Sequence, residues 1–128
     1  MMTGRFPQIT LLLLLACTAG AQPQPEMRAH IIDVGQASSA LLEFRDGAIL
    51  VDAGGEVTGD TTYKDHLLSY LEKFFQRRKD LKRHLNSIII THPHIDHTRF
   101  LTDVMENFEI AALIDGGGDT GSGIAPLR

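Results

Sequence analysis

Three histidines and a carboxylate stand within six positions at His92-Pro93-His94-Ile95-Asp96-His97, directly after Thr91 and the apolar run Ile88-Ile89-Ile90. Imidazole nitrogen and carboxylate oxygen are donors that suit zinc and neighbouring divalent metals. Side chains two apart at a strand end point the same way, so His92 and His94 can converge on one ion, with Asp96 and His97 suited to a second. Pro93 stiffens the backbone between the first two and lowers the entropy lost in holding them. Two such ions can share a water whose pKa falls from about 15.7 towards 7, giving a hydroxide nucleophile without a side-chain base. The expected chemistry is hydrolysis of an ester, amide or phosphodiester, with Asp96 as the candidate catalytic carboxylate as well as a ligand. Zinc is the first expectation for both ions, with manganese or iron as alternatives. The competing reading of the run is a solvated polar loop.

These donors need a rigid frame, and the sequence predicts one. Met27 to Val34, Ser39 to Phe44 and Ala48 to Val51 read as strands, with Arg45-Asp46-Gly47 a hairpin turn between the second and third. Gly54 to Tyr63 lacks periodicity and reads as a loop. Leu67, Leu68, Leu71, Phe74 and Phe75 then lay one apolar stripe along a helix of about four turns. Ile88 to Thr91 reads as a buried strand, Arg99 to Phe108 as a helix and Ile110 to Ile114 as a last strand. Asp115 to Gly123 reads as a flexible polar loop. With no helix-forming segment and no Lys-Ser/Thr pair after its glycines, it makes a poor phosphate cradle.

With 128 residues, 43% of them hydrophobic, the chain has room for one domain. A net charge of -4 gives no broad basic field, so non-specific nucleic-acid binding is not supported. Arg77, Arg78, Lys79, Lys82 and Arg83 form a local cluster. Contact with phosphates is one reading, and a solvated helix end favoured by the helix dipole is the other. The single cysteine excludes an intramolecular disulfide framework and any cysteine-rich zinc knuckle. His30, His66 and His84 read as surface or satisfied residues.

Residues 1–21 read as a secretory signal: Arg5, an apolar core over Ile9 to Cys17 too short to span a bilayer, and Ala19-Gly20-Ala21 before Gln22. Export to the periplasm or medium is expected, with no transmembrane span in the mature chain. Leu14-Leu15-Ala16-Cys17 also resembles a lipobox, which would leave a lipid anchor at Cys17. Residues 22–27 read as a linker and 28–128 as the domain.

Thr91-His92-Pro93-His94-Ile95-Asp96-His97 resembles the His-x-His-x-Asp-His signature of metallo-β-lactamase-fold hydrolases, and Val51-Asp52-Ala53-Gly54 resembles their strand-end Asp-x-Gly. Ile32-Asp33-Val34-Gly35-Gln36 is similar to the Asp-Val-Gly-Gln opening of a subgroup that includes the domain of DNA-uptake competence proteins and phosphorylcholine esterases. The resemblance implies the first half of an α/β fold, the αββα sandwich. It also implies His92 and His94 on metal one, Asp96 and His97 on metal two, and Asp52 buried behind them as an orienting carboxylate. A simple turn carboxylate is the alternative for Asp52, and Asp33 would be structural.

Two departures bear on substrate and loop geometry: Gly35-Gln36-Ala37-Ser38-Ser39 replaces Gly-Gln-Gly-Asp/Asn-Ser, and Thr98-Arg99 replaces the usual Gly-Gly. The family's third histidine, bridging aspartate and last histidine come from the second half of the fold. No histidine follows His97, and Asp103, Asp115 and Asp119 fall too early for the bridging role. The functional expectation is an exported metal-dependent hydrolase of phosphodiesters or related esters. The alternatives are a truncated, non-catalytic metal-binding domain and a β-lactam or lactone hydrolase.

Overall fold

Along Ala40–Phe44 side chains alternate between half-buried and buried, the pattern of a strand packed on one face. In the computed structural model, which describes residues 26–56, 62–118 and 120–128, this segment is β2 of a five-stranded sheet. The expected signal, the lipobox at Cys17 and the linker up to residue 25 lie outside the described residues. Met27, which the sequence places both at the end of the linker and at the start of the first strand, pairs with Phe44.

β1 (Met27–Ile31) runs antiparallel to β2 (Ala40–Phe44), which turns through Arg45-Asp46 into antiparallel β3 (Gly47–Val51). A short β4 (His84–Leu85) precedes β5 (Ser87–Ile89). β5 and β7 (Leu113–Ile114) extend the sheet in parallel, in the order β1-β2-β3-β5-β7. β4 pairs with β6 (Glu109–Ile110) in a separate two-stranded piece. Parallel neighbours require crossovers. α1 (Thr62–Arg77) supplies the first, and α2 (Ile95–Thr98) with α3 (Leu101–Asn107) supplies the second.

α1 buries Leu67, Leu71, Phe74 and Phe75 against Leu41, Ala48, Leu50 and Ile88 of the sheet, and Leu101, Val104 and Phe108 close the same core. Each fully buried leucine contributes about 2 kcal/mol of transfer free energy. Helix starts at Thr62, so the last two residues of the predicted loop are helical, and the Tyr63 ring packs beside Gly35, where no side chain stands in its way.

The helix predicted from Arg99 to Phe108 is α3, and the additional helical turn α2 stands before it, within the histidine segment. Phe100 N–H donates to the Ala53 carbonyl at 2.9 Å instead of continuing the helical ladder, which breaks α2 from α3. The predicted strand Ile110 to Ile114 also divides. Ala111 N–H bonds Leu85 while the Ala112 carbonyl accepts from Ile88, so the chain passes from the small sheet to the large one.

The sheet face away from α1 is apolar on every strand. Its register aligns Met27, Ala29 and Ile31 with Phe44, Leu42 and Ala40, then Ile49 and Val51, then Ile89 and Ile114. All are half-buried or exposed, with Ile31 82% accessible. Among the described residues no helix is long and apolar enough to cross a membrane.

On the core side Glu43 is 7% exposed. It accepts from Arg78 at 2.9 Å, His30 Nε2 at 3.0 Å and Arg77 at 3.1 Å, while His30 Nδ1 lies 2.6 Å from the Tyr70 hydroxyl. Arg83 pairs with Glu72 and the Asn107 carbonyl. Three of the five clustered cations therefore hold α1 and its C-terminal end to their surroundings.

Burial opposes the charged Glu43 carboxylate, but its bonds to Arg78, His30 and Arg77 outweigh that and hold its pKa below the ordinary 4.5. A lowered folded-state pKa means stabilisation present above the unfolded value and lost as pH falls through the folded one. Glu43→Gln is expected to cost about 2 kcal/mol near neutrality and much less at about pH 3. Urea unfolding at both pH values checks this, and an equal loss at each would contradict it.

Candidate metal centre

β3 ends where Asp52 takes a φ of +60°, a left-handed conformation that aspartate tolerates better than most residues. Asp52 N–H keeps the sheet ladder by donating to Ile89 O at 2.8 Å, while the side chain, on a residue 1% exposed, turns towards the end of β5. Its Oδ1 accepts from Thr91 N–H at 2.9 Å, and Thr91 Oγ1 lies 3.0 Å from its Oδ2. His97 Nδ1 lies 2.7 Å from that same Oδ2. A carboxylate only accepts, so His97 places a proton on Nδ1 towards Asp52 and turns Nε2 towards Asp96. This is how metal-binding histidines are oriented. The Thr91 hydroxyl, donating to Asp52, can accept from His92 Nδ1 at 3.2 Å.

The histidine segment is not a loop throughout. His94 is extended (φ -96°, ψ 153°) and caps α2, so Asp96 and His97 project from a single helical turn. Ala53 N–H donates to His97 O at 2.9 Å, Ser38 N–H to Asp96 O at 3.0 Å and Gly54 N–H to Ser38 O at 2.9 Å. Gly54 is where these backbones meet: a Cβ there would overlap the Asp96 carbonyl oxygen and crowd that of Ser38.

All three histidine rings come together. His92 and His97 have centroids 3.9 Å apart, and His92 and His94 4.7 Å. His92 and His94 are exposed, and Asp96 and His97 are partly so. Asp96 Oδ2 lies 3.5 Å from His97 Nε2. Two ligands of a tetrahedral ion with bonds of ~2.1 Å stand roughly 3.4 Å apart, so this pair fits one metal. Among the described residues, however, no three His, Cys, Asp or Glu side chains converge into a metal-holding group. The donors fit in type and, for Asp96 with His97, in spacing, and they form a partial ligand set.

Asp33 is exposed and accepts from Gly35 N–H at 3.2 Å, which makes it a turn residue. His30 is satisfied within the Glu43 network, and the His66 ring packs edge-on against Tyr63. Sequence reasoning missed Thr91, Ser38 and Thr98, and it misread the last glycine-rich segment. Residues 121–123 are not a free loop, because Gly123 N–H bonds Pro93 O and Ser122 Oγ accepts from Ile95 N–H. Only the Thr91 hydroxyl, next to the first histidine, carried a local signal.

The sheet ends, with a buried carboxylate behind clustered histidines, define an α/β protein with its polar site at the carboxyl ends of parallel strands. A family model described as the metallo-beta-lactamase superfamily matches residues 32–120, and the chain belongs to that superfamily. The fold is a partial metallo-β-lactamase fold, that of metal-dependent hydrolases, which typically bind divalent metals such as zinc. Comparison with curated proteins found no match.

Proposed function

We propose that this chain carries the first ligands of a two-metal hydrolase acting on phosphodiesters or related esters. The Asp52–His97 contact at 2.7 Å carries the reading, because it fixes the proton on Nδ1 and presents Nε2 beside Asp96. His92 and His94 would hold one divalent ion, zinc first, and Asp96 and His97 a second, with Asp96 also the candidate catalytic carboxylate. Bound divalent ions supply Lewis acidity and an acidified water. The chain's own work is orientation: Asp52 holds His97, Thr91 links Asp52 to His92, and Ala53 and Ser38 hold the backbone of α2.

The phosphodiester preference rests on the Asp33-Val34-Gly35-Gln36 opening, similar to that of the competence-protein subgroup. Export rests on residues 1–21, with a periplasmic or secreted protein or a lipid-anchored form at Cys17 as its two outcomes. The mass of the mature N-terminus separates them.

A second reading, a non-catalytic metal-binding domain, is favoured by the lack of any converged three-donor group among the described residues. Metal analysis of the full chain, with assays on phosphodiesters, lactones and β-lactams, decides between the two. Retained zinc or manganese is expected, with chelator-sensitive phosphodiester hydrolysis, and His94→Ala should weaken metal binding about tenfold or more. Metal retention without hydrolysis selects the second reading, β-lactam or lactone turnover alone redirects the substrate assignment, and no metal retention removes both readings.

A further inference from the structure

A four-residue helix cannot hold its own geometry, since the cost of nucleating a turn is not recovered over so few hydrogen bonds. The direction in which α2 presents Asp96 and His97 is therefore set from outside. One side is the strand-end clamp of Ala53, Gly54 and Ser38. The other is the chain returning after β7, which lies across the opposite part of the histidine segment.

There, Gly123 N–H donates to Pro93 O at 2.9 Å. The fully buried Thr98 donates its hydroxyl to Gly123 O at 2.8 Å, and the same hydroxyl sits 3.2 Å from His94 O. Ile95, the first residue of α2, donates its N–H to Ser122 Oγ at 3.1 Å. The N-cap residue His94 makes no side-chain capping bond of its own, so the cap arrives from a serine 27 positions away. The approach is tight: a Cβ on Gly121 would overlap Pro93 O, and one on Gly123 would overlap Thr98 Oγ1.

We infer that Gly121-Ser122-Gly123 is a positioning strap for the histidine segment, in which the Ser122 hydroxyl fixes the start of α2 and so sets metal affinity without touching the ion. The inference rests on the metal-centre reading, and the strap lies just beyond residues 32–120, which the family model matches. Ser122 is exposed, and a threonine there keeps the hydroxyl.

The test uses the full chain with Ser122→Ala, Ser122→Thr and Thr120→Ala, Co2+ titration followed by absorption, and amide exchange of the metal-free protein. Ser122→Ala is expected to weaken Co2+ binding about tenfold and to quicken exchange across Asp96 to Thr98 about tenfold. Ser122→Thr and Thr120→Ala should stay within about twofold on both readouts. Unchanged Co2+ affinity in Ser122→Ala, or an equal loss in Ser122→Thr, overturns the strap. If the parent chain takes up no Co2+, the metal reading fails and exchange alone decides: faster exchange in Ser122→Ala, restored in Ser122→Thr, upholds the strap, and unchanged exchange overturns it.

Discussion

Asp52→Ala is expected to destabilise the protein by about 3 kcal/mol and to weaken metal binding ~10–100-fold. Removing the carboxylate takes the acceptor from Thr91 N–H, the Thr91 hydroxyl and His97 Nδ1–H at once, and opens a space at a residue 1% exposed. Alanine also tolerates a φ of +60° less well than aspartate does, which adds to the loss. Asp52→Asn separates the two effects. Asparagine keeps the shape and the backbone tolerance, and its oxygen can still accept from Thr91 N–H. Its NH2 then faces His97 Nδ1–H, donor against donor, and relief comes from moving the imidazole proton to Nε2. That nitrogen is the one presented beside Asp96. Asp52→Asn should therefore cost only about 1 kcal/mol in urea unfolding while still losing ~10–100-fold in metal affinity, with the altered His97 tautomer visible in 15N spectra. An asparagine variant that binds metal as tightly as the parent would sink the orienting role.

What was legible in the sequence was local. The stripe from Leu67 to Phe75 carries its own period, and the hairpin at Arg45-Asp46 lies between two apolar runs, so α1, β2 and β3 could be placed within two residues. The histidine motif announced donor types in the same way. Convergence is another matter, because spacing along a chain states which donors are near each other and not whether three of them meet around one point. The turn α2 was hidden because the groups that hold it are remote in sequence: the Ala53 carbonyl that accepts from Phe100 N–H lies 47 positions upstream, and Ser122, which caps Ile95, lies 27 positions downstream. Glu43, within the expected strand Ser39 to Phe44, carries no local signal of its buried role. Its burial follows from Arg77 and Arg78, brought over it from the end of α1.

Gly54→Ala should be the most damaging glycine-to-alanine change among the described residues, about 4 kcal/mol, although nothing in the backbone conformation of Gly54 requires glycine. The reason lies in what surrounds it. An added Cβ meets the carbonyl oxygens of Asp96 and Ser38, and neither is a side chain that can rotate away. Both are fixed in the relay that runs from Gly54 N–H to Ser38 O and from Ser38 N–H to Asp96 O. To admit the methyl group, the strand end and α2 must part, which also pulls on the bond from Ala53 N–H to His97 O. The loss should thus appear twice, in the unfolding midpoint and in metal affinity, since Asp96 and His97 move together with their backbone. Gly116→Ala is the matched control: a Cβ there meets nothing within 4 Å, so its effect should stay within about 0.5 kcal/mol. If Gly54→Ala unfolded at the same urea concentration as Gly116→Ala, the strand end could not be clamping α2, and the rigidity assigned to the metal ligands would have to come from elsewhere.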